Sequence, residues 1–190
     1  MKTLSIAILL LLTIKSFSQE EVIPKIDYDN QPYYLKSDGS LSKLERAEGA
    51  MAAKLKGMGI GGSEMFIKVF NGTSNVRFSK NNLPVFYVKL STSEDPETII
   101  KLSKASQVEK KHRSFLLRKQ GLTGNVKSNQ ENNIRLNITK LTDEIFKIEI
   151  AQNIEIGEYS FMPFKSIDLQ GSVAYSATAS QILFCFGIDE

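Results

Sequence analysis

Short segments in which apolar and polar residues strictly alternate are the feature that most restricts the fold of this chain. Residues 134–138 and 146–150 each place an apolar side chain at every second position. This is the period of a β-strand with one buried face and one face in water. Other segments rich in β-branched and aromatic residues predict further strands. They cover residues 65–70, 85–90, 111–119 and 159–162.

The last apolar segment, residues 182–188, is hydrophobic on both faces and predicts a central strand that is covered on both sides. With about eight or nine strands and frequent turn signals, the chain is predicted to be all-β. The expected fold is an antiparallel β-sandwich, immunoglobulin-like or transthyretin-like. An apolar content of 42%, with 11 Phe and 6 Tyr, is sufficient for a core. No linker divides residues 32–190, so they are predicted to form a single domain.

Local signals predict a hairpin and a helix. Asp38-Gly39 lies between two alternating runs, as in a tight β-hairpin. Asp95 can cap a helix that begins at Pro96, and one short helix is expected over residues 96–104. Residues 45–62 stay open between a long loop and a short helix, since their apolar residues follow helical spacing while their glycines oppose a helix.

The N-terminus has the pattern of a signal peptide. Lys2 is followed by an apolar run over residues 4–14, and Ser16 and Ser18 occupy the positions before a cut at Gln19. The run is shorter than the roughly 20 residues that span a bilayer. We therefore predict a signal peptide over residues 1–18, a polar lead-in over 19–31, and export to the periplasm or the exterior without a transmembrane segment. The alternative is a buried N-terminal helix.

The composition excludes several classes of protein. The net charge of +3 falls to +1 without Lys2 and Lys15, which does not favour a nucleic-acid binder. Cys185 is the only cysteine and His112 the only histidine, so an intrachain disulfide and a zinc site with three N/S ligands are impossible. Cys185 is expected to be a small buried side chain, with intermolecular pairing as the alternative.

Tyr159 follows Gly157 at the start of a predicted strand, an arrangement that fits a tyrosine corner. In such a corner the phenol bonds to the backbone upstream. The Gly157-Glu158-Tyr159 element is similar to the penultimate strand of many immunoglobulin-like and transthyretin-like modules.

Taken in order, the local motifs resemble those of a group of uncharacterised exported bacterial β-sandwich proteins. The likeness spans most of the chain after the signal peptide. It implies export and a sandwich fold, and it carries no activity and no catalytic residue. The motifs are the Tyr33-Tyr34 hairpin, the Asn71-Gly72 turn, the Asp95-Pro96 helix, the Gly157-Glu158-Tyr159 strand and the terminal Phe186-Gly187-Ile188-Asp189.

Known catalytic and nucleotide-binding patterns are incomplete. Residues 57–62 match G-x-G-x-x-G, but a dinucleotide site needs a strand before this motif and a helix after it. Here a strand is predicted after it, so no nucleotide or other cofactor is expected. A loop, or a Met/Gly-rich tip that contacts a partner, is predicted instead. His112 lies among basic residues with no adjacent carboxylate, which disfavours a catalytic triad. No catalytic residue and no metal ligand are assigned.

Two groups of charged residues remain as candidates. A basic stretch suggests polyanion binding, with edge protection of the sheet as the alternative. Its residues are Lys110, Lys111, Arg113, Arg118 and Lys119. Four acidic residues leave open a polysaccharide-acting enzyme that uses carboxylates alone. They are Glu144, Glu149, Glu155 and Glu158.

The function expected from the sequence is therefore an exported, non-catalytic β-sandwich module of the bacterial envelope or exterior that binds a glycan or an envelope protein. The carboxylate enzyme is the alternative. A third hypothesis is an inhibitor or accessory subunit that uses residues 45–62 as a protruding loop.

Overall fold

Two β-sheets account for the fold, and the larger of them curls into a half-barrel. The structure is a computed structural model that describes residues 23–57, 62–91, 93–121, 126–128, 132–164 and 180–190, with the backbone alone for 126–128. The prediction of an all-β, mainly antiparallel fold with one short helix is confirmed. Residues 1–22, which include the predicted signal peptide, lie outside the described part.

The described residues form fifteen strands and a helix of one turn. The strands are β1 Tyr33–Leu35, β2 Leu41–Lys43, β3 Glu45–Leu55, β4 Ser63–Phe70, β5 Arg77–Ser79, β6 Phe86–Lys89, β7 Leu102–Lys104, β8 Gln107–Glu109, β9 His112–Gln120, β10 Val126–Ser128, β11 Asn133–Ile134, β12 Leu136–Lys140, β13 Ile145–Ile150, β14 Gly157–Phe161 and β15 Ser180–Asp189, and the helix α1 is Pro96–Ile99.

The smaller sheet has the order β12-β13-β6-β1-β2, and the larger has the order β10-β9-β4-β3-β15-β14-β7-β11. In the larger sheet, β8 pairs with β9 and β5 runs parallel to β15. Only Ala105 and Ser106 separate β7 from β8. The Ala105 amide donates to Glu158 of β14 at 2.8 Å, and the Ser106 amide donates to Ser114 of β9 at 2.9 Å. This segment therefore joins two distant strands of the sheet and completes its curl.

Two apolar cores result. One lies between the sheets, where the rings of Phe86 and Phe161 meet edge to face at 5.1 Å and those of Tyr159 and Phe186 stack at 5.7 Å. The other lies inside the half-barrel and includes Ile67, Phe115, Leu183 and Cys185. Because β15 separates the two cores, its residues 183–188 are all buried. The predicted central strand is confirmed.

Residues 45–55 form a long strand, so both options left open for this segment were wrong. Along β3, residues 47, 49 and 51 are buried while 46, 48 and 50 are exposed, which is a period of two. Apolar residues four positions apart fit the period of a strand as well as that of a helix. For this reason their spacing also indicated a helix. A Cβ at Gly49 would lie 2.3 Å from Cγ2 of Ile67. The glycine therefore permits close side-chain packing in the sheet.

The helix begins as predicted but ends earlier. The Asp95 carboxylate accepts a hydrogen bond from the Glu97 amide at 3.0 Å, and Pro96 occupies the first turn. The predicted extension to residue 104 is wrong, because Leu102 and Ser103 pair with Phe161 and Ser160 of β14. Pairing in the sheet supplies these backbone groups with partners along the whole of β7.

The predicted Asp38-Gly39 hairpin is confirmed, with β1 and β2 antiparallel and Gly39 at φ +81°. The described part of the lead-in, residues 23–31, crosses the outer face of the smaller sheet. There Ile26 is buried in a small apolar cluster with Tyr33 and Tyr87. Among the described residues, no helix has the length and hydrophobicity needed to cross a membrane.

Candidate functional site

A cleft of about 610 Å³ lies between the lead-in and the β1–β2 hairpin. Its size falls within the roughly 300–1,000 Å³ that small-molecule sites occupy. Most of the side chains around it are polar, and charges of both signs are present. The lining includes Lys25, Asp27, Tyr33, Leu41, Ser42 and Lys43.

A tight turn and an anchored N-terminal segment form this cleft. The tight turn at Gly39 folds β2 back on β1 and places Lys43 directly opposite Tyr33. On the other side, Ile26 anchors the lead-in against the sheet, so that Lys25 and Asp27 are held beside the hairpin. The polar lead-in and the hairpin that follows it thus form one concave surface.

Two tyrosines influence the chemistry of the cleft: Tyr33 lines it, and Tyr28 lies against the lining residue Lys43. The Lys43 amino group lies 4.6 Å from the ring centroid of Tyr28, close enough for a cation–π interaction. Tyr33 is 5% exposed, and its buried hydroxyl makes no hydrogen bond of normal geometry among the described residues. Burial, and then the charge of Asp27, raises the pKa of Tyr33, although the Tyr28 backbone opposes part of the rise. The phenol therefore stays neutral at physiological pH, beside one carboxylate and two amino groups.

No sequence motif marks the lead-in as a binding site. The alternation of charge at Lys25 and Asp27 and the nearby tyrosines were visible. Only the fold, however, shows that residues 23–31 turn back over the hairpin.

The basic residues singled out in the sequence do not meet on one surface. Lys110 and Lys111 are exposed in the β8–β9 turn, whereas Arg118 and Lys119 lie at the other end of β9. Seven residues of extended chain separate the two pairs by about 23 Å. Arg113 is 0% exposed, so it cannot contribute to a polyanion-binding surface. The other four residues lie in two separate patches, and polyanion binding by either patch stays a prediction.

Arg113 instead lies inside the half-barrel. One of its terminal nitrogens is 2.9 Å from Oε1 of Glu45, and the other donates to the backbone carbonyl of Asn71 at 3.3 Å. Burial by itself opposes the charge, but Cys185 and Glu45 more than compensate and raise the pKa of Arg113. Burial also raises the pKa of Cys185. This thiol is therefore a packing group with little nucleophilic character.

The four candidate carboxylates are each engaged by a different cation. Glu144 lies 3.4 Å from Lys89, Glu149 lies 3.7 Å from Lys147, and Glu155 pairs with Lys104. Glu158 is buried, accepts a hydrogen bond from the Ser74 amide at 2.8 Å and pairs with Arg77.

None of these carboxylates lines a cleft described above. Among the described residues, no group of three or more His, Cys, Asp or Glu side chains is arranged to hold a metal ion.

The Gly-rich motif joins two antiparallel strands. β3 precedes it and β4 follows it, whereas a dinucleotide site would require a helix after it. Residues 58–61 themselves lie outside the described part. Because residues 45–55 form a strand of the sheet, they cannot be part of the protruding loop proposed for an inhibitor.

The structural motif at Tyr159 has the geometry of a tyrosine corner. Its hydroxyl donates a hydrogen bond of 2.6 Å to the backbone carbonyl of Glu155, four residues upstream. Burial raises the pKa of Tyr159 to about 12, so it remains a hydrogen-bond donor at any physiological pH.

Comparison of the chain with protein-family models, with curated proteins and with solved structures gave no match.

Proposed function

We propose that this protein is an exported, non-catalytic binding module of the bacterial envelope or exterior, and that the cleft between the lead-in and the β1–β2 hairpin binds a glycan. The observation that supports this most directly is the cleft itself, about 610 Å³ in volume and lined by side chains of both charges. Export rests on the signal-peptide pattern of residues 1–18.

The chemistry of the cleft suits a sugar. Each ring of a glycan presents hydroxyl groups that both donate and accept hydrogen bonds, and the cleft offers a carboxylate acceptor at Asp27 and amino donors at Lys25 and Lys43. Tyr28, which contacts the lining residue Lys43, is 56% exposed and adds an aromatic surface next to the cleft. A protein partner would need about 800 Å² of contact on each side, and nothing in the geometry of this cleft favours such a partner.

The carboxylate enzyme receives no comparable support. Glycoside hydrolysis requires two carboxyl groups about 5–10 Å apart across one substrate bond. In the described part of the chain, the four carboxylates considered are held by separate cations. We therefore keep the binding module as the proposed function.

The test is co-sedimentation of the recovered protein with envelope fractions, with insoluble acidic polysaccharide and with insoluble neutral polysaccharide, at low and moderate salt. Lys43→Ala and Asp27→Ala should each weaken binding to the same polysaccharide. Lys140→Ala, at an exposed position on β12, should leave it unchanged. Equal binding by all three variants would place the glycan elsewhere, and no binding to any polysaccharide would reject the proposal.

Export is tested separately by mass spectrometry of the protein recovered from the producing cells. Removal of residues 1–18 should leave an N-terminus at Gln19. An intact N-terminus on a protein that fractionates with the cytoplasm would contradict export, whatever the protein binds.

A further inference from the structure

Two neighbouring turns at one end of the half-barrel expose apolar and basic side chains together. Phe70, the last residue of β4, is 74% exposed, and Val108 of β8 is 51% exposed. The exposed residues Lys110 and Lys111 form the turn between β8 and β9. Phe70 is the most exposed of the large apolar residues in the described part. We refer to Phe70, Val108, Lys110 and Lys111 as the barrel tip.

The register of the sheet places these residues at the same end of neighbouring strands. Phe70 and Glu109 lie directly opposite His112 on its two sides, while Val69 and Val108 lie opposite Arg113. Phe70 and Val108 are therefore separated by two strand spacings, about 10 Å. Because they occupy successive rungs, they project from opposite faces at the same end of the sheet. The turn that carries the two lysines follows β8 at this end.

Backbone contacts join the two turns of the tip. The Asn71 amide donates to the Lys111 carbonyl at 3.0 Å, which ties the two turns together. Gly72 is packed so closely that a Cβ there would lie 2.1 Å from the carbonyl oxygen of Glu109. From inside the barrel, Arg113 donates to the Asn71 carbonyl. The apolar groups are thus exposed by a well-connected structure.

The charge around the tip is positive. Lys68 is exposed two residues before Phe70, and it adds to the two lysines of the turn. Two acidic residues, Glu48 and Glu109, lie at the same end. The three lysines outnumber these two carboxylates, so the net charge of this group is positive.

We propose that the barrel tip docks the protein on an anionic lipid bilayer. The end of the sheet meets the bilayer edge-on, so that Phe70 from one face and Val108 from the other enter the interface between headgroups and acyl chains. Lys110 and Lys111 contact the anionic headgroups. This proposal concerns a different surface from the glycan cleft and does not depend on it. Two apolar side chains are too few for a stable protein interface, whereas a soluble polyanion would use the lysines without covering Phe70. A bilayer accommodates both groups at once.

The chain contains no tryptophan, so a single tryptophan can report on one position. Phe70→Trp should shift its emission to the blue on addition of vesicles containing phosphatidylglycerol, and should not respond to pure phosphatidylcholine. Leu55→Trp is the matched control, since Leu55 is 70% exposed at the end of β3. No shift at position 70, or an equal shift at both positions, would overturn the proposal.

A second measurement separates apolar from electrostatic contributions. Phe70→Ser should reduce the vesicle affinity about ten-fold, and Lys110→Glu with Lys111→Glu should reduce it at least as much, since each lysine near the surface contributes about five-fold. Lys101→Glu with Lys140→Glu changes the same charge at exposed positions elsewhere and should retain most of the binding. If the two double substitutions lower the vesicle affinity equally, only the net charge of the protein matters. The proposal that the tip docks on the bilayer is then wrong.

A competition experiment tests whether a soluble polyanion, rather than a bilayer, binds the basic residues of the tip. Soluble polygalacturonate should displace the protein from vesicles only weakly, because it does not replace the contact of Phe70 with lipid. Complete displacement, together with equal polygalacturonate affinity for wild type and Phe70→Ser, would identify the tip as a polyanion site and overturn the assignment to a bilayer.

Discussion

Tyr159 stabilises the connection before β14 through one hydrogen bond. Its ring is fully buried against Phe186, and its hydroxyl reaches the Glu155 carbonyl. The partner carbonyl would lose its bond if the hydroxyl were removed, while the ring packing would be kept.

Tyr159→Phe should therefore lower the free energy of unfolding by about 1–2 kcal/mol, the usual cost of losing such a bond and leaving one partner unpaired. Urea denaturation followed by circular dichroism measures this. Tyr28→Phe, at a position that is 56% exposed, should change the stability by less than about 0.5 kcal/mol. If the two variants are equally stable, the corner hydrogen bond contributes nothing.

Gly49 illustrates a residue whose importance comes from its neighbours. Gly49→Ala would force Ile67 and Leu183 to move, because the added Cβ would approach them to 2.3 and 3.2 Å. Overpacking of this kind costs about 1–3 kcal/mol. Ala50→Ser, one residue along β3 on the exposed face, serves as the control in the same denaturation experiment. A fully stable Gly49→Ala would show that the core adapts without cost.

At the scale of the elements, the short strand β5 is held to the C-terminal strand by charge as well as by its backbone. Arg77 pairs with buried Glu158 and with exposed Asp189, donating to Asp189 from Nε at 3.0 Å. Its hydrogen bonds and charge lower the pKa of Asp189. Gly187 lies beneath the guanidinium, where a Cβ would lie 2.1 Å from it.

The lowered pKa of Asp189 predicts the pH dependence of this contact. A carboxylate with a depressed pKa in the folded state stabilises the protein above its unfolded pKa, near 4, and the stabilisation is lost as pH falls through the folded pKa. Asp189→Asn should be less stable than wild type at pH 7, and the difference should disappear in strongly acidic solution. Urea midpoints measured between about pH 2 and 7 test this prediction.

Asp143→Asn is the natural comparison. The pKa of Asp143 is also lowered, by Lys140, but its side chain is 98% exposed and the pair lies within one turn. Solvent screens such a pair, so a smaller effect is expected. A larger pH-dependent effect for Asp143 than for Asp189 would contradict the role given to Arg77.

At the scale of the whole molecule, the curl of the larger sheet buries an ion pair inside the half-barrel. Arg113 is 0% exposed and the side chain of Glu45 is 15% exposed. Nε of Arg113 and Oε2 of Glu45 are buried without a hydrogen-bond partner among the described residues. The pair is therefore only partly satisfied, and its two members depend on each other.

Arg113→Met should destabilise the protein by about 3–5 kcal/mol, because it leaves the Glu45 carboxylate without its cation. Arg113→Met combined with Glu45→Gln should recover most of this loss, since no uncompensated charge remains. A double-mutant cycle by chemical denaturation gives the coupling. If the double variant is as unstable as the sum of the single variants, the pair is not coupled and packing alone explains Arg113.

Local chemistry was sufficient for much of this protein. The period of two, the Asp38-Gly39 turn, the Asp95-Pro96 helix start and the apolar segment at 182–188 depend on neighbouring residues along the chain, and these features are found where they were expected. Residues 45–55 were misassigned because spacing by four residues fits a helix and a strand equally well. Only the partner strands β4 and β15 decide between the two.

The tertiary structure alone decided where the charged residues lie. Nothing in the sequence around Arg113 distinguishes it from Lys111 or Arg118, yet the closure of the half-barrel buries it and leaves the others at opposite ends of β9. The barrel tip also depends on contacts between strands that are far apart in sequence. The cleft depends on how residues 23–31 turn back over the hairpin that follows them. Local periodicity specifies which face of a strand is apolar, whereas exposure of a particular side chain depends on which other strands cover it.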